Sequence, residues 1–366
     1  MADKNTFEAG FPNETEEPEI KTTSKKVTIF NFIFIGVIFI GLFIYMITVD
    51  GIDNILLVLQ QVDYRWVFLG LLALLGLWFC DTMCLHIPLK KLYPTHKFTN
   101  SIKVNMIGQL FNNITPFSSG GQPMQAYALT KTGKRASESM SILTMKFIVT
   151  QVALLVFTVV VVCFEFQFFM DLFQDFLWVA ILGFVSNIVL VIAIIFAGVY
   201  PKLIIMITLP WVKLLAKMKL IKDFEKAKEK VSNSIIHFSD QFKFIYTQKQ
   251  IILQIFLWAT LQSLCYYAIT YMVYRAFGNS GISYWQIIPA QAFLLMIMTI
   301  TPTPGAGLGA EGGFLLVFQS IFKTGTINLA ILFWRIYTFY LPIMVGALFL
   351  IPTKKSHLTK KVQEKM

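Results

Sequence analysis

"TITPTPGAGLGAEGGF", Thr299 to Phe314, interrupts an apolar part of the chain with two prolines, five glycines and a carboxylate. Lipid-facing backbone must satisfy its own hydrogen bonds, so broken chain survives at membrane depth only inside protein or beside a wet cavity. The stretch therefore reads as the wall of a site. A second stretch of the same kind, "NNITPFSSGGQPMQ", Asn112 to Gln125, stands in the first half of the chain.

The surroundings of both stretches are those of an integral membrane protein. The chain is 56% hydrophobic and 14% charged with a mean hydropathy of +0.66, and several apolar runs reach the roughly 20 residues that cross a bilayer. The net charge of +11 comes from lysines beside these runs. That is the pattern of cytoplasmic loops and anionic headgroups, so no nucleic-acid partner is expected. Cys80, Cys84, Cys163 and Cys265 lie in apolar runs and read as buried free thiols. His86, His96, His237 and His357 show no ligand spacing, so neither a metal nor another cofactor is expected.

Charges orient the runs. Residues 1–26 form an acidic then basic stretch, expected to be a disordered cytoplasmic tail; it is too long and acidic for a secretory leader, so the first span is expected to be retained. Full spans read at about 27–49, 66–87, 140–163, 177–200, 250–277 and 326–351. The 50–64 connection carries aspartates and no lysine, whereas 88–103 carries four lysines and no acid. The apolar segment 104–130 is followed by Lys131, Lys134 and Arg135, again an inside signature. It must enter and leave on the cytoplasmic side, as a re-entrant hairpin broken at Thr115–Pro123.

The same counting applies further on. The lysine-rich 201–249 segment is cytoplasmic, and Phe224, Ala227, Val231, Ile235, Phe238, Phe242 and Ile245 give it one apolar face. It either lies on the inner leaflet or forms a solvated helical hairpin. The basic tail 352–366 must also be inside, which leaves 285–322 as a second re-entrant hairpin, entering from outside. The expected fold is an all-α polytopic membrane protein of two inverted repeats, 27–163 and 177–351. Each would hold three transmembrane helices and one hairpin, with both termini cytoplasmic. The breakers match as well: Thr115-Pro116 precedes Gly120-Gly121, and Thr303-Pro304 precedes Gly307 and Gly309. A cation follows each, Lys146 and then Arg335. Inverted repeats with broken helices are a common plan of secondary transporters, with the site at the repeat interface.

Each tip is suited to an anion. Pro116, Pro302 and Pro304 break the entering helices, and Pro123 fits the first turn of a second half-helix. Gly305, Gly307 and Gly309 allow close approach to the backbone. Ser118 and Ser119 read as caps before Gly120, Gly121 and Gln122, and the free amides of a helix start attract negative charge. In a basic-lined membrane cavity the natural anion is a lipid phosphate. Arg335 would grip it bidentately, Glu311 would hold or exchange with Arg335, and Lys146 and Asp81 are the other intramembrane charges. Static pairing of Glu311 with Arg335, pairing of Asp81 with Lys146, and snorkelling of Lys146 remain the plainer readings.

"NNITPFSSGGQPMQAYAL", "TPTPGAGLGAEGGF" and "FWRIYTFYLPIMVGAL" together resemble the flippase-like transmembrane region of lysylphosphatidylglycerol synthases, a region shared with many stand-alone bacterial proteins. The resemblance spans residues 27–351. It implies an inverted-repeat membrane fold of the bacterial plasma membrane that moves phospholipids or lipid-linked headgroups between leaflets, with Pro116, Gly120, Gly121, Pro304, Gly309, Glu311 and Arg335 as functional positions. In full-length synthases a soluble aminoacyltransferase domain follows the membrane part, whereas here about fifteen residues follow the last span. The expectation is a lipid flippase or scramblase for an anionic or aminoacylated phospholipid, with homo-oligomers left open. The alternative is a phosphatidylglycerol lysyltransferase, or a membrane subunit that recruits a separate aminoacyltransferase and contributes to cationic-peptide resistance.

Overall fold

Long apolar helices with few internal charges dominate. The computed structural model describes residues 52–173, 200–217, 224–323 and 325–350, with isolated positions at 40 and between 185 and 199. The expected span 27–49, most of 177–200 and both tails lie outside the described residues. Among those described, the structure is helical throughout, and four helices are long and apolar enough to cross a membrane: Tyr64–Leu92, Glu138–Phe164, Lys249–Ala276 and Ile327–Leu348. They correspond to four of the six spans read from the sequence.

A short helix α1 (Ile52–Gln60) leads to α2 (Tyr64–Leu92), whose start is capped by Asp63 accepting from the Arg65 amide at 3.0 Å. Next come α3 (Phe98–Ile114) and α4 (Gly121–Thr130), two half-helices packed on each other across a 3₁₀ turn at Pro116–Ser118. Helix α5 (Ala136–Phe164) follows, then the short α6 (Phe166–Phe173). The lysine-rich segment folds into α7 (Pro201–Lys217) and α8 (Phe224–Thr247), packed together as a helical pair. Helix α9 (Lys249–Ala276) precedes the second hairpin, α10 (Tyr284–Ile300) and α11 (Gly307–Phe318), joined by a 3₁₀ turn at Pro304–Ala306. A reciprocal capping box between Ser283 and Gln286 starts α10.

The last span is α12 (Ile327–Arg335), a π-turn (Ile336–Tyr340) and α13 (Leu341–Leu348). Pro342 explains the wide turn. It lacks an amide proton, and its ring would strike the carbonyl four residues earlier in a regular helix.

The central packing joins α2 and α9 along their length. Small residues make this approach possible. A Cβ on Gly76 would stand 3.2 Å from Cys265 Sγ, and the Cys84 thiol donates to the Ile255 carbonyl at 3.7 Å. Membrane helices approach closely where small side chains line the seam, which accounts for Cys84 and Cys265 as packing groups, whereas Cys163 is exposed and not buried as expected. The first hairpin is held by α13, where a Cβ on Gly346 would fall 2.6 Å from the Met106 carbonyl. The second hairpin packs against α5.

Candidate functional site

The two breaks share one backbone turn. Thr115 is extended (φ −114°, ψ 146°), Pro116 follows, and Phe117 and Ser118 are left-handed at φ 53° and 51°. Thr303 is extended (φ −98°, ψ 153°), Pro304 follows, and Gly305 and Ala306 are left-handed at φ 59° and 52°. In both turns the fourth residue's amide returns to the threonine carbonyl, at 3.2 Å and 3.0 Å. The two turns pack against each other, so the tips meet. Left-handed backbone costs a non-glycine residue about 1–2 kcal/mol, so the turns are held by their surroundings.

The second tip is clamped by the last span. Arg335 is 1% exposed. Its Nε donates to Glu311 Oε1 at 2.6 Å, Nη1 to the Gly305 carbonyl at 3.1 Å, and Nη2 to the Gly307 carbonyl at 3.0 Å. One guanidinium therefore joins the turn, the start of α11 and the last span. The π-turn places the Phe339 ring under the same turn, 5.0 Å from the guanidinium carbon and so close to Gly305 that a Cβ there would lie 1.9 Å from it. Gly305 is required twice, for its φ and for this contact. Ala306, before α11, offers no side-chain cap, and no side-chain bond to the first amides of α11 is found among the described residues. Glu311 Oε2, Thr303 Oγ1 and Trp334 Nε1 are buried here without a hydrogen-bond partner. Such atoms are uncommon in native structures and call for an explanation.

The first tip is built differently. Pro116, Phe117, Ser118 and Ser119 are exposed, whereas Pro304 and Gly305 are buried. The amide of Gly120 donates to Thr115 Oγ1 at 2.8 Å and that of Gly121 to Asn112 Oδ1 at 3.0 Å. Side chains from the entering half-helix thus cap the returning one. The expected caps do not serve: Ser119 Oγ donates to the Pro116 carbonyl and Ser118 caps nothing, because its left-handed backbone is not that of a cap residue. Pro123 does sit in the first turn of α4. Gln122 is half-buried beside it, and Pro302 is exposed just before the second turn.

The remaining two charges form a separate knot. Lys146 Nζ lies 2.7 Å from Asp81 Oδ1 and donates to Asn105 Oδ1 at 3.2 Å. Gln109 donates to Asp81 Oδ2 at 2.9 Å, and Asn105 donates to Thr82 Oγ1 at 3.1 Å. Gln125 reaches Asn105 Oδ1 at 3.4 Å. This network ties α2, α3, α4 and α5 together, and both Asp81 oxygens are used. Lys146 is 9% exposed, so it is paired within the protein and does not snorkel. Among the described residues, no hydrogen bond or ion pair joins this knot to the Arg335 cluster.

At the base of the first hairpin, Tyr93 donates to Glu138, Lys134 stands 5.3 Å over the Tyr93 ring, and Ser101 Oγ lies 2.9 Å from a ring nitrogen of both His86 and His96. Burial, then Lys134, His86 and Lys90, push His96 down to about 4. Burial with the Glu138 carboxylate raises the Tyr93 hydroxyl, and burial lowers Lys134.

Sequence reasoning missed the parts played by Asn105, Gln109, Asn112, Thr115 and Phe339. The first three recur at steps of four and three along α3, a polar stripe on an otherwise apolar half-helix. That spacing was the available signal.

The described residues build a helical membrane protein with two broken hairpins that meet tip to tip, one of them latched by Arg335. The family model of the lysylphosphatidylglycerol synthase TM region matches residues 33–346, and the chain belongs to that family. No curated protein matches the chain.

Proposed function

We propose that the chain is a lipid carrier of flippase or scramblase type, moving an anionic or aminoacylated phospholipid between leaflets. Its two halves, 27–163 and 177–351, act as inverted repeats, each dipping one hairpin into the membrane from its own side. Support comes from the shared Thr-Pro turn, the meeting of the tips, and the matched packing of α13 on α3 and α5 on α10. The lysine distribution supports cytoplasmic termini, and the family match supports a bacterial plasma membrane.

The observation that carries the reading is the Arg335 latch. A buried guanidinium spent on backbone carbonyls and one carboxylate oxygen can exchange those partners for a phosphate, which matches its fork better. The uncapped start of α11 and the unpartnered atoms around it supply further contacts to a headgroup. Release of Arg335 also frees the second turn, so headgroup binding and movement of the hairpin are one event. At the first tip the amides are already capped, and its part is to close the route against the second.

Reconstitution with a panel of labelled anionic and zwitterionic lipids tests the reading. Wild-type protein is expected to move the anionic probes, and Arg335→Ala to abolish movement in a protein that still elutes as a folded species. Unchanged movement in that variant rejects the role given to Arg335. New lysylphosphatidylglycerol on thin-layer plates, after expression in a host that makes none, would replace the carrier by the lysyltransferase reading.

A further inference from the structure

Asp81 and Glu311, the two acids paired with a cation within the helices, differ in one respect that bears on what drives transport. Asp81 has a partner on each oxygen, Lys146 on one and Gln109 on the other. Glu311 accepts from Arg335 on Oε1, and its Oε2 is buried with no partner. Ionisable groups around it are few. Arg335 faces it from α12 and Tyr340 from the π-turn, while Tyr266 of α9 stands near Arg335. Helix α11 carries no other ionisable residue, α10 carries only Tyr284 at its far end, and the first tip, Pro116–Ser118, carries none.

Charge balance then decides the outcome of headgroup binding. With Glu311 on Arg335 the cluster is neutral. A phosphate that takes the guanidinium leaves two negative charges sharing one cation in a site poor in water. Neighbouring like charges there do not both stay ionised, and a carboxylate stripped of its cation is neutralised by a proton. The Asp81 knot has no such freedom, since Lys146 is held by two acceptors and Asp81 by two donors.

We propose that Glu311 takes up one proton whenever a lipid phosphate displaces it from Arg335, so that lipid anion and proton cross together as an electroneutral set. The proton comes from the water on the side where the lipid enters. It leaves on the other side when the phosphate departs and Arg335 returns to the carboxylate. This rests on the carrier reading above and adds the coupling ion to it.

The test uses the full chain in phosphatidylcholine vesicles holding a trace of fluorescent phosphatidylglycerol, with a trapped pH dye and protein-free vesicles as background. A gradient of one pH unit is expected to enrich the probe about tenfold in the leaflet facing the alkaline side, the ratio one unit of proton gradient supports for one-to-one coupling. An imposed membrane potential of either sign is expected to leave the ratio at one. Glu311→Gln should give a ratio of one under the same gradient, with no dye response to lipid movement, and Glu311→Asp should restore the enrichment. Wild-type protein that moves the probe but never enriches it along the gradient overturns the proposal while the carrier reading stands. Absence of movement under every condition removes both.

Discussion

The two hairpins share a backbone turn and differ in what surrounds it. At the first tip, Thr115 and Asn112 cap the returning half-helix, the turn is exposed, and the nearby charges sit in a saturated knot on Asp81. At the second tip the turn is buried, the half-helix is uncapped, and the arginine is bonded to the turn itself. Matching backbone with unmatched chemistry points to a division of labour. One hairpin is braced by its own side chains, while the other depends on a single cation, the one for which the proposed headgroup would compete.

The largest expected effect separates a brace from a latch. Removing one member of a buried pair typically costs about 3–5 kcal/mol, because the other charge is left without a partner. Lys146→Met and Arg335→Met should each lose roughly that much in thermal unfolding in detergent. The double variants distinguish the two sites. Asp81→Asn with Lys146→Met should recover most of the stability and leave lipid movement measurable. Glu311→Gln with Arg335→Met should recover stability in the same way and still move no lipid. If both doubles move lipid equally, the contrast between the pairs is wrong.

Gly305→Ala comes next. A methyl group there meets the Phe339 ring and takes a left-handed backbone, which overpacking and conformational costs place at about 2–4 kcal/mol. Phe339→Leu should return part of this loss, since it relieves the ring contact and leaves the backbone cost. Full recovery would show that the φ angle is not what glycine supplies.

The hairpin bases give a smaller, pH-dependent contrast. His96 folds with its proton affinity lowered from 6.5 to about 4. The unfolded chain therefore binds the extra proton first, and the stability that neutral His96 provides is complete above about 6.5 and lost as pH falls towards 4. The base of the second hairpin uses Asn279 and Lys323, which bond the Tyr274 and Gly278 carbonyls, with no histidine. Hydrogen exchange at pH 5 should rise in α3 and α4 more than in α10 and α11. His96→Asn should flatten that dependence, with a midpoint shift of a few degrees.

Much of this was legible in the sequence, for reasons that differ from one element to the next. Prolines and glycines inside apolar runs announce broken helices because few other arrangements tolerate them at that depth. Four described spans fall where the hydropathy places them, and Arg335 and Glu311 stood out as charges within the membrane. What the sequence concealed was pairing across distance. Asn112 and Thr115 reach forward over a turn whose geometry their own propensities do not dictate, so Ser118 and Ser119 looked like the better caps. Phe339 gave no signal of its own because its role depends on the π-turn that Pro342 forces. The split between a saturated and an unsaturated acid depends on Gln109, whose amide reads as neutral decoration until α3 is docked against α2.

The smallest effect tests the shared turn itself. Phe117 occupies the position that glycine holds at 305, with φ 53° against 59°. Its ring is 63% exposed, so little packing is lost if it is removed. Phe117→Gly should therefore stabilise the protein by about 1 kcal/mol, the relief of a left-handed residue less the entropy glycine brings to the unfolded chain. The prediction has a functional side. If an exposed phenylalanine is kept at a strained position by the part its tip plays against the second tip, the stabilised variant should move lipid more slowly than wild type. A variant that gains stability and loses no rate would mean that the first tip only braces its hairpin, and would leave the second tip alone as the moving part.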